Sequence, residues 1–256
     1  MFKFIRRLLA PALPADLPAC ELPAVLDVSA ARRVLVFAPH PDDEVLGCGG
    51  TLALLAGHCA VRVVLVTEGS GGGGALPAEI GPRRRAEWVQ SLALLGIEDV
   101  AFMDLPDGQV WPEAQAQRQI TQAVQAFAPD WVFAPGMTDY HRDHMAIAQM
   151  VHLACLDSQS VQCVLSYEIW APVWATHVVD ITAVVGRKRA ALLAQRTSLE
   201  YGNYLQAIEG LNVYRGLYLG RTDAAAEAFA VLAFDKPTGQ LACRPFWLRW
   251  LRFVGV

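Results

Sequence analysis

The clearest pattern along the chain is a short apolar run, Arg33-Val-Leu-Val-Phe-Ala38, closed off by Pro39 and Pro41. A run of this length with no polar alternation predicts a strand buried on both faces. Leu46, Leu52, Leu54 and Leu55 follow in a helix predicted over 45–57, with Gly57 at its end. Val61-Arg-Val-Val-Leu-Val-Thr67 repeats the strand signature, and the glycine run Gly69-Ser-Gly-Gly-Gly-Gly74 comes after it. Pro82 opens the next helix, which runs to Leu95 and stops at Gly96, the usual asymmetry of helix ends. Val100-Ala-Phe-Met103 and Trp131-Val-Phe-Ala134 read as two more strands, with a helix over Glu113–Phe127 between them. Farther on, a helix is predicted over Asp143–Asp157, a strand over Val164–Ile169 and a helix over Thr182–Thr197. The apolar stretch through 224–234 is compatible with either element.

Strand and helix thus alternate four times, which implies βαβ units around a parallel sheet. The expected fold class is α/β: a Rossmann-like, mostly parallel sheet of order 3-2-1-4-5, flanked by helices and carrying a C-terminal elaboration. In that order the first and fourth strands are neighbours, and a crevice opens between their C-terminal ends. The Pro- and Ala-rich residues 1–30 read as an N-terminal arm, 31–235 as a single domain, and 236–256 as a C-terminal aromatic/Arg segment.

Composition narrows the function classes. Across 256 residues, 54% hydrophobic and 18% charged side chains exclude intrinsic disorder. A net charge of -4 provides no general basic field for a nucleic-acid backbone, so no nucleic-acid partner is expected. No window approaches the ~20 consecutive apolar residues of a spanning helix. The six cysteines are scattered with no C-x-x-C pair, which fits reduced thiols and a cytoplasmic protein. The basic start is cut by Pro11 and Pro14 and makes a poor secretory signal. Arg244-Pro-Phe-Trp-Leu-Arg-Trp-Leu-Arg-Phe253 interleaves arginine with large apolar residues, as interfacial anchors do. Peripheral membrane contact through 244–256 is therefore one expectation for this segment; docking on the core or on another subunit is the other.

The chemistry-bearing residues lie at two strand ends. His40-Pro-Asp-Asp-Glu44 follows the first strand, and Asp139-Tyr-His-Arg-Asp-His144 follows the fourth. The doubly wound order brings these distant segments to one crevice. His40 and Asp43, three apart, can share a face, and His144 completes a set of two imidazoles and a carboxylate. Zn²⁺ with three protein ligands and one open position is the usual catalytic arrangement. Of the adjacent Asp42 and Asp43, one can bind the metal while the other faces its water as general base. His141 could donate to a developing oxyanion, and Asp143 could fix an imidazole's orientation. Glu44, at a helix start, would favour the dipole. Two rivals share these residues: a non-haem Fe²⁺ oxygenase, whose triads usually sit on β-rich scaffolds, and a non-catalytic sugar-binding protein. An amidase acting on a larger acyl conjugate differs only in pocket shape.

These motifs resemble the PIG-L/LmbE-like zinc-dependent N-deacetylases. Both the His-Pro-Asp-Asp-Glu and the His-x-Asp-His segments stand intact, as His40–Glu44 and His141–His144. The similarity runs on through Thr67-Glu-Gly, Arg83–Glu87, Pro106-Asp-Gly108 and Val179-Asp-Ile181 followed by Lys188. The resemblance implies hydrolysis of an N-acetyl group, commonly on an N-acetylglucosamine unit of a small molecule or glycoconjugate. Carried over by position, His40, Asp43 and His144 would bind zinc, other divalent ions such as Fe²⁺ being alternatives. Asp42 would be the base and His141 the acid or oxyanion stabiliser. The resemblance also favours Arg84 among Arg83, Arg84 and Arg85, and Asp107 in its Pro-Asp-Gly turn, as substrate-binding residues. Where many members have a His in the C-terminal helix, this sequence has Gln195. The glycine run lacks the Gly-Lys-[Ser/Thr] of a P-loop. His152 and His58 read as structural, His177 as a residue that could line the site, and Trp170 and Trp174 as core or sugar-stacking wall.

Overall fold

The computed structural model describes residues 22–71, 77–235 and 240–241. Residues 1–21 of the expected arm, Gly72–Gly74 of the glycine run, and nearly all of the 236–256 segment, including the membrane-contact expectation for 244–256, lie outside the described residues.

The strands are β1 (Ala24–Val25), β2 (Arg33–Ala38), β3 (Ala60–Thr67), β4 (Val100–Leu105), β5 (Trp131–Pro135), β6 (Cys163–Tyr167), β7 (His177–Asp180), β8 (Ala226–Asp235) and β9 (Gln240–Leu241). The α-helices are α1 (Asp43–Leu55), α2 (Ile80–Leu94), α3 (Ala114–Phe127), α4 (Arg142–Leu156), α5 (Val185–Ala194), α6 (Arg196–Glu200) and α7 (Tyr204–Gly216). Read from one edge, the sheet runs β4-β3-β2-β5-β6-β8-β7-β1, with β9 pairing to β8. The first five strands along that path are mutually parallel and follow the expected doubly wound order.

Past β6 the sheet is longer than expected. β8 joins β6 antiparallel, β7 joins β8 antiparallel, and β1 joins β7 parallel. Part of the expected arm is therefore paired into the sheet at Ala24 and Val25. The ambiguous stretch resolves as β8, whose Phe229 and Ala226 are fully buried. The single helix expected over 182–197 is instead a 3-10 turn at Thr182–Val184, then α5 and α6 with a non-helical Gln195 between them.

Alternate side chains of the parallel strands face two cores. Val34, Val36 and Ala38 of β2 join Leu52, Trp88, Leu92 and Leu192, so α1, α2 and α5 cover that face. Leu35 and Phe37 join Ile120, Val124, Ile147 and Met150, so α3 and α4 cover the other. Among the described residues no helix is long and apolar enough to cross a membrane.

Helix α1 packs unusually close to the sheet. A Cβ built at Gly47 would lie 2.2 Å from Tyr167 Cδ2, so only glycine lets the helix settle over that ring. Tyr167 in turn donates its hydroxyl to Phe37 O at 2.7 Å, tying β6 to the end of β2. That contact fixes where the next residues of the β2 loop begin.

Candidate metal centre

Both chemistry-bearing loops leave the C-terminal ends of adjacent strands, since Val36 of β2 pairs with Phe133 of β5. The first loop is clamped by Thr67, whose N–H and hydroxyl both donate to Pro39 O, at 3.0 and 2.8 Å. It turns into α1 through Asp42, whose backbone φ is +140°. That torsion sends the Asp42 and Asp43 side chains apart: Asp42 toward Arg84, Asp43 back toward His40. The second loop becomes α4 at His141, whose Nδ1 accepts the N–H of Asp143 at 3.3 Å as an N-cap.

At the junction three donor atoms converge. His40 Nδ1 lies 3.1 Å from Asp43 Oδ2 and 3.1 Å from His144 Nε2. His144 Nε2 lies 3.2 Å from the same Asp43 oxygen. Tetrahedral zinc, with bonds of ~2.0–2.1 Å, separates its ligands by about 3.3 Å, so the spacing suits one divalent ion. The tautomers agree. His40 Nε2 lies 3.1 Å from Asp143 Oδ2 and 3.3 Å from Asp107 Oδ1, which places its proton there and leaves Nδ1 as a lone pair. His144 Nδ1 faces Asp139 Oδ1 at 3.3 Å, an ion-pair distance without an aligned hydrogen bond, and this frees Nε2 in the same way. A carboxylate behind each ligating imidazole is the usual support of a metal site. Asp143 is itself fixed by the N–H groups of Gly108 and Val110, at 2.7 and 3.2 Å.

Two other groupings, His40/His141/His144 and His40/Asp107/Asp143, also bring one ligand atom each within 4.8 Å of one another. The carboxylate grouping engages the protonated nitrogen of His40 and is the weaker choice. The first could be joined by His141 only through its Nε2, because its Nδ1 caps α4.

The electrostatics show how strongly this pocket calls for positive charge. Burial opposes charge on His40, yet Asp107, Asp143 and Asp43 hold its pKa well above the usual 6.5. His144, likewise opposed by burial but facing Asp43 and Asp139, is raised to about 9. Two imidazolium rings cannot both point a proton into a 3.1 Å gap, so protons alone satisfy these carboxylates poorly. Despite burial, Asp43 is pulled far down by His144 and His40. Asp42 is pushed up to about 6 by burial and by Asp43, with Arg84 and Ser198 opposing. Burial, together with the charges on His40 and His144, lowers His141.

A cavity of about 200 Å³ opens over the trio, lined by His40, Asp42, Asp43, Arg84, Asp107, His141, Trp170 and Tyr204 among others. Arg84 enters as the resemblance implied, with guanidinium nitrogens 3.5 Å from Asp42 Oδ2 and 3.8 Å from Asp107 Oδ2. Arg83 pairs with Glu87 and Glu200 instead, and Arg85 with Asp104. The imidazole that Asp143 fixes is that of His40. Glu44 does not act as an exposed dipole partner: it is fully buried, neither oxygen has a hydrogen-bond partner, and burial pushes it up to about 8. His177 sits in β7 beside Thr176, away from the cavity, and His152 bonds Ala148 O. Trp174 lines a separate cavity of about 450 Å³.

Sequence reasoning passed over Asp139 as a functional residue, although it opens the second motif. One of its oxygens accepts the His141 N–H at 2.8 Å and faces His144; the other accepts the Trp170 N–H at 3.1 Å. Tyr204 gave no signal at all, because its helix α7 lies more than 150 residues beyond the first motif.

Set beside known proteins, residues 35–155 match the family model PIG-L, GlcNAc-PI de-N-acetylase. A diacetylchitobiose deacetylase of Thermococcus kodakarensis is 26% identical over 176 residues, 60% of this chain and 66% of its own length, just under two thirds. The conserved protein TT1542 of Thermus thermophilus superposes with a TM-score of 0.69 at 30% identity, over 78% of this chain and 94% of that one. The N,N'-diacetylchitobiose deacetylase of Pyrococcus horikoshii gives 0.71 at 23% identity, over 91% and 93%, a likeness of fold.

Proposed function

The chain belongs to the PIG-L family, and from that footing we propose that it hydrolyses the acetamide of an N-acetylglucosamine-type sugar or its conjugate. The observation that carries the reading is the mutual 3.1–3.2 Å spacing of His40 Nδ1, Asp43 Oδ2 and His144 Nε2. His40, Asp43 and His144 would hold a divalent ion, a donor set of two imidazoles and one carboxylate that suits zinc and also Fe²⁺. When bound, the ion supplies Lewis acidity to a water and to the scissile carbonyl.

The remaining work falls to this chain's side chains. Asp42, buried to 8% exposure at the cavity wall, takes the proton from the attacking water; in the metal-free protein burial and Asp43 raise its carboxyl, the direction that makes it a better base. His141, with Nδ1 occupied by its N-cap bond, keeps a proton on Nε2 and donates it toward the acetyl oxygen as negative charge develops. The proton held by Asp42 then passes to the departing nitrogen as the C–N bond breaks, and the proton remaining on the new carboxyl follows it to the amine, so that acetate and an ammonium leave and both protons of the water are accounted for. Arg84 and Asp107, tied to each other and to the glycine loop through Gly69 O and Gly71 N, hold the sugar hydroxyls.

The test is acetate release from N-acetylglucosamine oligomers alongside metal content. Removing metal with a chelator abolishes turnover, and re-adding zinc restores it. Asp42→Asn keeps the metal but lowers kcat by about 10²–10⁴-fold, the range of a lost general base. Full activity in the metal-free wild type, or in Asp42→Asn, overturns the reading.

A further inference from the structure

Strand β8 changes character halfway along. Ala226–Phe229 are buried, and Tyr218 and Leu219 pack over Ala226, Ala228 and the neighbouring Val178. From Ala230 to Phe234 the strand is only half-buried, although every residue there is apolar. Val164 of β6, the partner of Leu232, is covered by Ile147 and Val151 of α4. Farther along the same face, Ser166, Ala230 and Leu232 have no helix over them and floor the cavity of about 450 Å³. The described helices thus leave an open groove between α4 and the turn at Leu217–Leu219.

The walls of the groove are Met137 and Thr138, in the loop between β5 and α4, Val173 and Trp174, in the turn before β7, and His152 of α4. His152 donates from Nδ1 to Ala148 O at 2.7 Å, so its Nε2 is left as an acceptor, and burial lowers its pKa and keeps the ring neutral. An apolar trough with a neutral acceptor on its wall suits aromatic side chains that carry an N–H. The chain itself leads such side chains there. Leu241 of β9 pairs antiparallel with Phe234, which points the residues after it back toward Leu232 and Ala230, about 7 and 14 Å away along β8. Those residues include Pro245-Phe-Trp-Leu-Arg-Trp-Leu-Arg-Phe-Val254. Phe246, Trp247, Trp250, Leu251 and Val254 recur at the spacing of one helical stripe, with Arg249 and Arg252 on the opposite side.

We propose that residues 246–254 dock in this groove of their own chain, with the apolar stripe over Ser166, Ala230 and Leu232 and the arginines turned to solvent, and that the docked segment braces the loop between β5 and α4. Met137 and Thr138 lie inside a turn closed by the Asp139 N–H, which donates to Gly136 O at 3.2 Å. Asp139 then accepts the His141 N–H and faces His144, so whatever packs on Met137 and Thr138 steadies the second motif. The proposal concerns the packing of this chain and stands apart from the deacetylase reading.

Hydrogen–deuterium exchange of the dilute full-length protein, free of lipid, tests the docking. Amides of 246–254 are expected to exchange at least about tenfold more slowly than in an unstructured chain. Ala230→Arg, or Trp247→Ser together with Trp250→Ser, is expected to remove that protection and to speed exchange over 136–141 by at least about threefold. The paired tryptophan change alters no residue of the sheet, so it reads the docking even where Ala230→Arg fails to fold. In parallel, p-benzoylphenylalanine in place of Trp250 is irradiated in a mixture of isotopically light and heavy chains, and links are expected within one chain, to 136–138, 173–176 or 230–232. Fast exchange of 246–254 that slows only on vesicles of phosphatidylcholine and phosphatidylserine would overturn the docking in favour of a membrane contact. Links between light and heavy chains would overturn it in favour of a second copy. Fast exchange with and without vesicles, links elsewhere on the same chain, or exchange unchanged in the variants would overturn it outright.

Discussion

At Asp42 the backbone holds a torsion, φ +140°, that a residue with a Cβ rarely adopts. Such positions cost of order 1–3 kcal/mol and persist where the surroundings over-determine them. Here the strain separates two adjacent carboxylates, so that one joins the imidazoles while the other faces the cavity. Asp42→Gly should therefore raise stability by about 1 kcal/mol relative to Asp42→Asn while both lose turnover, as denaturant melts and acetate release would show. A glycine variant no more stable than the asparagine variant would mean that the torsion is unstrained. The imidazoles carry a second residue-scale consequence. In metal-free protein His144 titrates near 9 against about 6.5 in an unfolded chain, so its contribution to stability is complete below pH 6.5 and is lost as pH rises toward 9. Chelated protein should accordingly lose stability between pH 6.5 and 9, whereas zinc-loaded protein, whose ligand nitrogens carry no proton, should not follow that decline. Equal slopes in the two forms would count against shared ligation.

Among the elements, α1 is the one whose shape is not its own. Its helical torsions break at Cys48, and a buried ion pair occupies the break. Lys188 Nζ donates to Leu46 O at 2.9 Å, ending the first half; Glu227 accepts the N–H groups of Gly50 and Thr51 at 2.7 Å each, starting the second. The two side chains meet at 2.7 Å with almost no solvent exposure. Removing one member of such a pair strands the other, so Glu227→Gln should cost about 3–5 kcal/mol, and Glu227→Gln with Lys188→Met should cost less than the single change. Urea melts of the wild type and these variants check this, and additive losses would contradict the account. None of it was legible in the sequence, because Glu227 lies 177 residues from Gly50 and sits in a stretch whose alanines suit helix and strand alike. The parallel strands were legible because each is a short, doubly buried apolar run. β7, four residues long, and the paired Ala24–Val25 carry too little pattern to announce themselves.

Over the whole molecule, the sheet order is what makes chemistry out of sequence. His40, Asp43 and His144 could be picked out because their residue types are restrictive and because the doubly wound order predicts that the first and fourth strand ends meet. Asp139 and Asp143, which aim the imidazoles, look like ordinary turn and helix-start residues until the fold shows which nitrogen each one faces. Trp170 and Tyr204 come together only through α7, beyond the reach of any motif spacing. The central claim is that His40, Asp43 and His144 share one divalent ion with an open side toward the cavity. The most direct measurement is anomalous diffraction at the zinc edge from crystals of the active, zinc-loaded protein. The account predicts a single peak about 2.0–2.2 Å from His40 Nδ1, Asp43 Oδ2 and His144 Nε2. A peak bound elsewhere, or fully active crystals with no peak between those three atoms, would contradict it.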